Sequence, residues 1–320
     1  MSVVIGLPRD ERAPAAMQLG GLLARSLGED VVVCTVVPEL WPPGLGRVDA
    51  EYQEFLDQDA AAALDRAREQ LPADLSGQFE VARARSTAAG LLQVANRHGA
   101  GMLALGSSTG GMLGRVAFGS VAERLLHSSP LPVALAPRGF RARPGSKVTE
   151  VTAAYSATEG GDELVVAVAG VAARIGATLR VASFAVRPRT PLTAGVGSRA
   201  EYSVLSEWSA DVARAQEKVL AEVSRLPHAP AVAPPVIGHG TNWADALEDI
   251  GWDHGSILAV GSSSAGPLER VFLGSHSSKI VRHSPVPAVV LPRGATHNLA
   301  ALAETPRPHP RASAKSLDLE

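Results

Sequence analysis

Apolar residues fall along this chain in short runs, separated by stretches where they recur every three or four positions. In the first half Val3–Leu7, Asp30–Val37, Gln78–Ala82, Met102–Leu105 and Pro132–Ala136 read as buried strands. Between them Arg12–Leu27, Glu51–Leu71, Thr87–His98 and Gly119–Leu126 carry helical spacing. Gly28 ends the first of these helices, and Ser86 or Thr87 caps the third. The second half repeats the order, with strands at Val148–Ala154, Thr178–Ala185, Ala233–His239, Ile257–Val260 and Val286–Leu291. Its helices are Asp162–Ile175, Glu201–Leu226, Trp243–Ile250 and His276–Val281. Pro42–Gly46 and Arg187–Ser198 read as loops. Strands alternating with helices predict an α/β fold whose parallel sheet is covered on both faces. Right-handed crossovers then make each sheet doubly wound and Rossmann-like. Ligands in such folds sit beyond the carboxyl ends of the strands, where strand order reverses.

The repetition extends to the residues. From Gly106 to Gly139 the chain matches Gly261 to Gly294 at 15 of 34 positions, with an offset of 155 residues and no gap. The shared residues are mostly Gly, Ser, Pro and Arg, so more than hydrophobicity is repeated. A period this long makes each copy a whole domain rather than a solenoid unit. A length of 320 residues agrees with two domains of about 150 residues. The division expected is 1–139 for the first domain, 140–147 (RARPGSKV) for a linker and 148–294 for the second. Residues 295–320 are polar, Pro-rich and aperiodic, which predicts a disordered tail.

Composition narrows the picture. Only 4% of residues are aromatic against 46% hydrophobic, so the core must be built from Ala, Val and Leu. A net charge of −2 gives no global electrostatic case for nucleic acid or an anionic membrane. No apolar run reaches the ~20 residues that span a bilayer. The chain enters a strand almost at once, with no signal-peptide pattern, so the cytoplasm is the expected location. The single cysteine, Cys34, excludes an intrachain disulfide and a Cys-rich zinc site. Its setting, VVVCTVV, is that of a small buried hydrophobe.

Candidate chemistry lies in the loop after the fourth strand of each half. The strand ends in Gly-Ser-Ser, a Gly-containing loop follows, and an Arg stands four residues before a Gly-Ser pair that opens a helix. Gly106 and Gly261 let the chain turn as it leaves the strand. Ser107, Ser108, Ser262 and Ser263 offer hydroxyls and amides. Gly119–Ser120 and Gly274–Ser275 bring free N–H groups at a helix start, which suits an anion. Ser120 and Ser275 equally suit a cap for that helix. Arg115 and Arg270 have the reach for a phosphate, or serve as solvated surface charges. No Gly-Lys-Ser/Thr is present, so this is not a Walker A loop. It follows the fourth strand, so it is not the dinucleotide fingerprint either.

These tandem units and loops resemble the universal stress protein family in its two-domain form, over nearly the whole chain apart from the tail. In nucleotide-binding members the loop reads Gly, two residues, Gly, nine residues, then Gly-Ser or Gly-Thr. Both copies keep that spacing, from Gly106 to Gly119–Ser120 and from Gly261 to Gly274–Ser275. Thr109 and Ser264 replace the middle glycine, although Gly110 and Gly266 stand nearby. ATP-binding members also carry an Asp at the end of the first strand, where this chain has Leu7-Pro8-Arg9 and Tyr155-Ser156-Ala157. Asp10, the nearest carboxylate, suits a helix N-cap. The resemblance implies ATP, with Mg, as the ligand of degenerate loops. It also implies an intramolecular pair of domains joined through their last strands, since an exposed apolar edge strand seeks a partner.

Other residues offer less. No HExxH, CxxC or Gly-x-Ser-x-Gly occurs. His127 and His283 sit near the end of the same helix in each copy, where the helix dipole favours them. Arg138 and Arg293 close each repeat in Pro-Arg-Gly, placed either to pair across a domain interface or to solubilise a chain end. Trp208, Trp243 and Trp252 suit helix packing, and Trp243 also suits a pocket wall. Three functions stay open: a nucleotide-responsive regulatory module, a scaffold that binds a protein partner or a second copy without nucleotide, and a slow ATPase. No residue stands out as a water-activating base, which ranks the enzyme last.

Overall fold

The computed structural model describes residues 2–8, 14–39, 47–158, 160–187, 198–262 and 274–292. The first half runs β1 (Ser2–Leu7), α1 (Pro14–Leu27), β2 (Asp30–Pro38), α2 (Arg47–Gln70), β3 (Gly77–Ala84), α3 (Thr87–Arg97), β4 (Met102–Gly106), α4 (Ser120–Leu125) and β5 (Val133–Ala136). The second runs β6 (Glu150–Ala154), α5 (Gly161–Ile175), β7 (Thr178–Val186), α6 (Ser198–Val223), β8 (Val236–Gly240), α7 (Trp243–Asp249), β9 (Ser256–Gly261), α8 (Ser275–His283) and β10 (Ala288–Leu291).

Each apolar run forms the element it predicts, with ends moved for local reasons. Every residue of β1, β5 and β10 is buried, as unbroken apolar runs demand of strands covered on both faces. Ser86 caps α3 by accepting from the Ala89 amide at 3.3 Å. Gly28 and Gly176 end α1 and α5 in the left-handed region, at φ 69° and 73°. β8 begins at Val236 rather than at Ala233. The intervening Pro234 and Pro235 have no amide to donate, and upstream of them only a lone bridge joins Leu179 to Val232. The loop 42–46, Arg9, Asp10, Gly266, Arg293 and the tail 295–320 lie outside the described residues.

All ten strands form one sheet in the order β3-β2-β1-β4-β5-β10-β9-β6-β7-β8. Neighbours are parallel within each half. At the centre β5 and β10 are antiparallel, with Ala134 opposite Val289 and flanking pairs Leu135–Ala288 and Val133–Val290. The last strands of the halves therefore pair edge to edge. An apolar core lies on each face of the sheet, and each draws on both halves. Leu19, Leu23, Val165 and Val168 meet on one face; Leu103, Leu125, Leu258 and Val281 meet on the other. Polar contacts add to the join. The Arg282 guanidinium lies 4.1 Å from the centre of the Phe118 ring, and Arg174 meets Glu29 at 3.7 Å.

Residues 140–147 contain no helix or strand, yet they are lashed along α1. The Ala142 amide donates to Gln18 Oε1 at 3.3 Å, Arg25 donates to the Ser146 carbonyl at 3.2 Å, and the Val148 amide donates to Ser26 Oγ at 2.8 Å. Where β6 turns into α5, the Tyr155 hydroxyl donates to Asp162 at 2.9 Å. Gly161 is obligatory in that turn, because a Cβ there would lie 2.1 Å from the Ser156 carbonyl oxygen. Among the described residues no helix is long and apolar enough to cross a membrane.

Two predictions follow from burial. Cys34 is fully shielded in β2, and burial first, then the Glu80 charge, pushes its thiol up to about 12. The thiolate is the reactive form, so native protein at pH 8 should resist iodoacetamide and should take up the label only when denaturant is added. Mass spectrometry reads both states. Tyr155 is likewise pushed up to about 12, by burial first and then by its bond to Asp162. A folded value above the ordinary 10 means that the neutral phenol stabilises the fold. That stability is complete below pH 10 and is lost as pH rises through about 12. Urea melts should show a steeper fall across this window than those of Tyr155→Phe, which has no proton to lose.

Candidate functional site

The strand order reverses twice in this sheet. In the first half β1 leads outward to β2 on one side and has β4 on the other; in the second half β6 stands in the same way between β7 and β9. Crossovers leave opposite faces at such points and open a crevice beyond the strand ends. Both crevices are present, each about 280 Å³.

The first has an apolar floor of Leu7, Ala16, Leu91 and Leu105. Its polar rim is made by Gly106, Ser107, Ser108, Thr109, Gly119 and Ser120. The loop between β4 and α4 therefore does border the crevice. Its parts serve differently from the sequence expectation. Ser107 is a brace: its hydroxyl donates to the Ala136 carbonyl at 2.6 Å and accepts from the Ala117 amide at 3.0 Å. Ser120 does not cap α4. Gly119 is the N-cap, with no side-chain bond, and Ser120 is the first helical residue. Gly274 and Ser275 stand in the same relation to α8. A glycine cap leaves the first-turn amides without a side-chain acceptor, at the wall of the crevice. Gly106 has no positive φ, and a Cβ there would make only ordinary contact with Ala16, 3.6 Å from its amide nitrogen.

Arg115 departs most from expectation. Its guanidinium turns out of the crevice and pairs with Glu248 of α7, in the other half of the chain. That end of α7 is itself held, because Arg180 donates to the Ile250 and Gly251 carbonyls at 3.1 and 3.0 Å and stacks on Trp252. Arg138 neither crosses the interface nor stands free. Its side chain donates to the Gly111 carbonyl at 2.6 Å, and its backbone exchanges 2.9 Å hydrogen bonds with Gly114 and Arg115. Gly111 was not singled out in the sequence, yet a Cβ there would lie 2.2 Å from that of Ala117. It is one of the identities shared with the second copy, as Gly266, and that was its legible signal.

The second crevice is bordered by Tyr155, Ser156, Gly261, Ser262, Gly274 and Ser275. Ser262 donates its amide to the Leu291 carbonyl at 2.9 Å, and Ser277 donates its hydroxyl to the Gly261 carbonyl at 3.3 Å. Ser263, Ser264 and Arg270 lie outside the described residues. His276, which the sequence did not single out as a site residue, also borders this crevice; its ring meets that of Trp243 at a tilt of 52°, with centroids 6.0 Å apart. Trp243 thus backs a wall residue, Trp252 is tied to the Leu247 carbonyl at 2.6 Å, and Trp208 is 38% exposed rather than packed. His283 ends α8 with its ring against the Lys279 carbonyl at 2.7 Å. No carboxylate borders either crevice among the described residues, and none of their His, Cys, Asp and Glu side chains form a cluster suited to a metal.

Comparison with known proteins agrees with this geometry. The model of the universal stress protein family matches residues 1–137 and again 148–292. Universal stress proteins of Mycobacterium tuberculosis and Mycobacterium bovis are 42% identical over 297 residues, which is 91% of this chain and all of theirs. A solved universal stress protein of Archaeoglobus fulgidus shares the fold, with a TM-score of 0.59 at 18% identity over 92% of this chain and 98% of its own. The chain belongs to the universal stress protein family and carries two of its domains in tandem.

Proposed function

We propose that this protein is a cytoplasmic regulatory module of the stress response that takes an adenine nucleotide, foremost ATP with Mg, in the crevice between β1 and β4. The observation that carries this reading is the crevice itself. It sits where strand order reverses, with an apolar floor suited to a base and a rim suited to phosphate oxygens, made of the hydroxyls of Ser108, Thr109 and Ser120 and the amides that open α4. The second crevice repeats the plan. In this reading the units are 1–139 and 148–294, joined by 140–147, with 295–320 outside both. Binding is weak. The Thr109 side chain stands where glycine would let backbone meet phosphate, Arg115 is engaged by Glu248, and no carboxylate among the described residues borders the crevice. Mg would be brought in by the phosphate oxygens, and turnover is slow or absent, since no water-activating base borders the crevice among the described residues.

One observation favours a second reading, a scaffold without nucleotide. Met112 and Leu113, in the loop beside the crevice, are 69% and 77% exposed, an apolar pair offered to a protein partner or a second copy of the chain.

Calorimetric titration of nucleotide-free full-length protein with Mg-ATP separates the two. The nucleotide reading expects saturable binding weaker than low micromolar, since one missing charge-assisted hydrogen bond costs about 1.5–3 kcal/mol, or tenfold to hundredfold in affinity. Gly119→Asp places a negative charge at the rim and should abolish binding in that half. Thr109→Gly should tighten binding up to tenfold; no gain would move the cause to the missing carboxylate. Absence of heat with ATP, ADP and AMP alike would leave the scaffold.

A further inference from the structure

On the face of the sheet that carries α1 and α5, no helix is centred on β10. α1 lies over β1, β4 and β5, and α5 lies over β6, β7 and β9, so neither helix lies along β10. Between the helices a cavity of about 360 Å³ remains, which shares no lining residue with either phosphate-loop crevice. Leu23 and Leu27 of α1 form one wall, Val168, Val171 and Ile175 of α5 the other, and Val289 of β10 the floor. Val289 is 5% exposed, so the floor is nearly shut off from bulk water.

The polar groups at its edge are already satisfied. Ser26 donates to the Leu22 carbonyl at 2.6 Å and accepts from the Val148 amide at 2.8 Å. Glu29 and Arg174 are paired with each other at 3.7 Å. Among the described residues no buried side-chain nitrogen or oxygen lacks a partner. A charged guest would have to part the Glu29–Arg174 pair and would find no other group to meet it. An apolar lining of this kind gives water few partners and favours an apolar guest. The volume falls within the range of small-molecule sites, roughly 300–1,000 Å³.

We propose that this cavity is a binding site for a small neutral apolar molecule, of the size of a medium-chain aliphatic alcohol, held between the two halves of the chain. Its walls come from both halves, so an occupant fills the junction and holds α1 to α5. The site is separate from the nucleotide crevices and does not depend on them.

The test uses full-length protein with labelled methyl groups, titrated with octan-1-ol and, separately, with octanoate. Octan-1-ol should give saturable shifts confined to the methyls of Leu23, Leu27, Val168, Val171 and Ile175, and should raise Tm with concentration, as any ligand of the folded state must. Val171→Phe fills the cavity from a half-buried helix position and should weaken binding at least tenfold. Val171→Ser leaves the volume but removes apolar wall, and should weaken binding severalfold; it carries the test if the larger side chain impairs folding. Non-saturable shifts spread over the surface would overturn the site, as would affinity unchanged in both variants. Octanoate binding more tightly than the alcohol would overturn the neutral class of ligand.

Discussion

The antiparallel pairing of β5 with β10 is the contact on which the rest of this structure depends. Each strand has four residues, all buried, and each would be an exposed apolar edge if its half stood alone. A bare edge of that kind invites association with other chains. Joining the two in cis turns two five-stranded sheets into one and leaves β3 and β8 as the outer edges. The two main apolar cores, one on each face, then run across the seam, and only the small cluster of Val37, Leu56 and Ala60 among the described residues stays within one half. The lashing of residues 140–147 along α1 fits the same scheme. A slack connection would raise the entropic cost of bringing the two edges together.

Much of this was legible in the sequence, for a physical reason. Strands buried on both faces must be apolar without interruption, and their helices must alternate, so VVVCTVV and SVVIGL announce their state locally. The edge-to-edge pairing was legible too, because PVALAPRG and PAVVLPRG repeat a strand with no polar face. Most of what escaped depends on residues distant in sequence. Arg115 looked available to a phosphate, because nothing near it in sequence reveals Glu248, 133 positions on. Arg138 looked terminal, because its acceptor on Gly111 is 27 residues back across a loop. Ser120 and Ser275 looked like caps, since a serine before an apolar helix usually is one. Here the preceding glycine takes the extended cap conformation, and the serine is drawn into the first turn.

The candidate site shows the same division. Its location follows from topology, and its floor and rim from the residues at strand ends, all readable in order along the chain. Its strength depends on which side chains are spent on the protein itself. Ser107 is committed to the Ala136 carbonyl, Arg138 to Gly111 and Arg115 to the second half. Read singly, the loop is rich in phosphate-binding residue types; read as a network, Ser107, Arg115 and the amides of Ser108, Gly114 and Ala117 hold the loop in shape, and the start of α4 with the rim hydroxyls is what faces a ligand.

Because β5 and β10 run in opposite directions, every strand of the first half points opposite to every strand of the second. The carboxyl ends that bound the two crevices therefore lie on opposite rims of the sheet. A single rigid body docked on one rim cannot also touch the other, so the molecule is two-ended. What distinguishes it from a pair of separate domains is that the ends are mechanically joined: α7 belongs to the second half, yet Glu248 near its end clasps Arg115 beside the first half's crevice. The loop facing one rim is thus anchored to an element whose own start lies at the other.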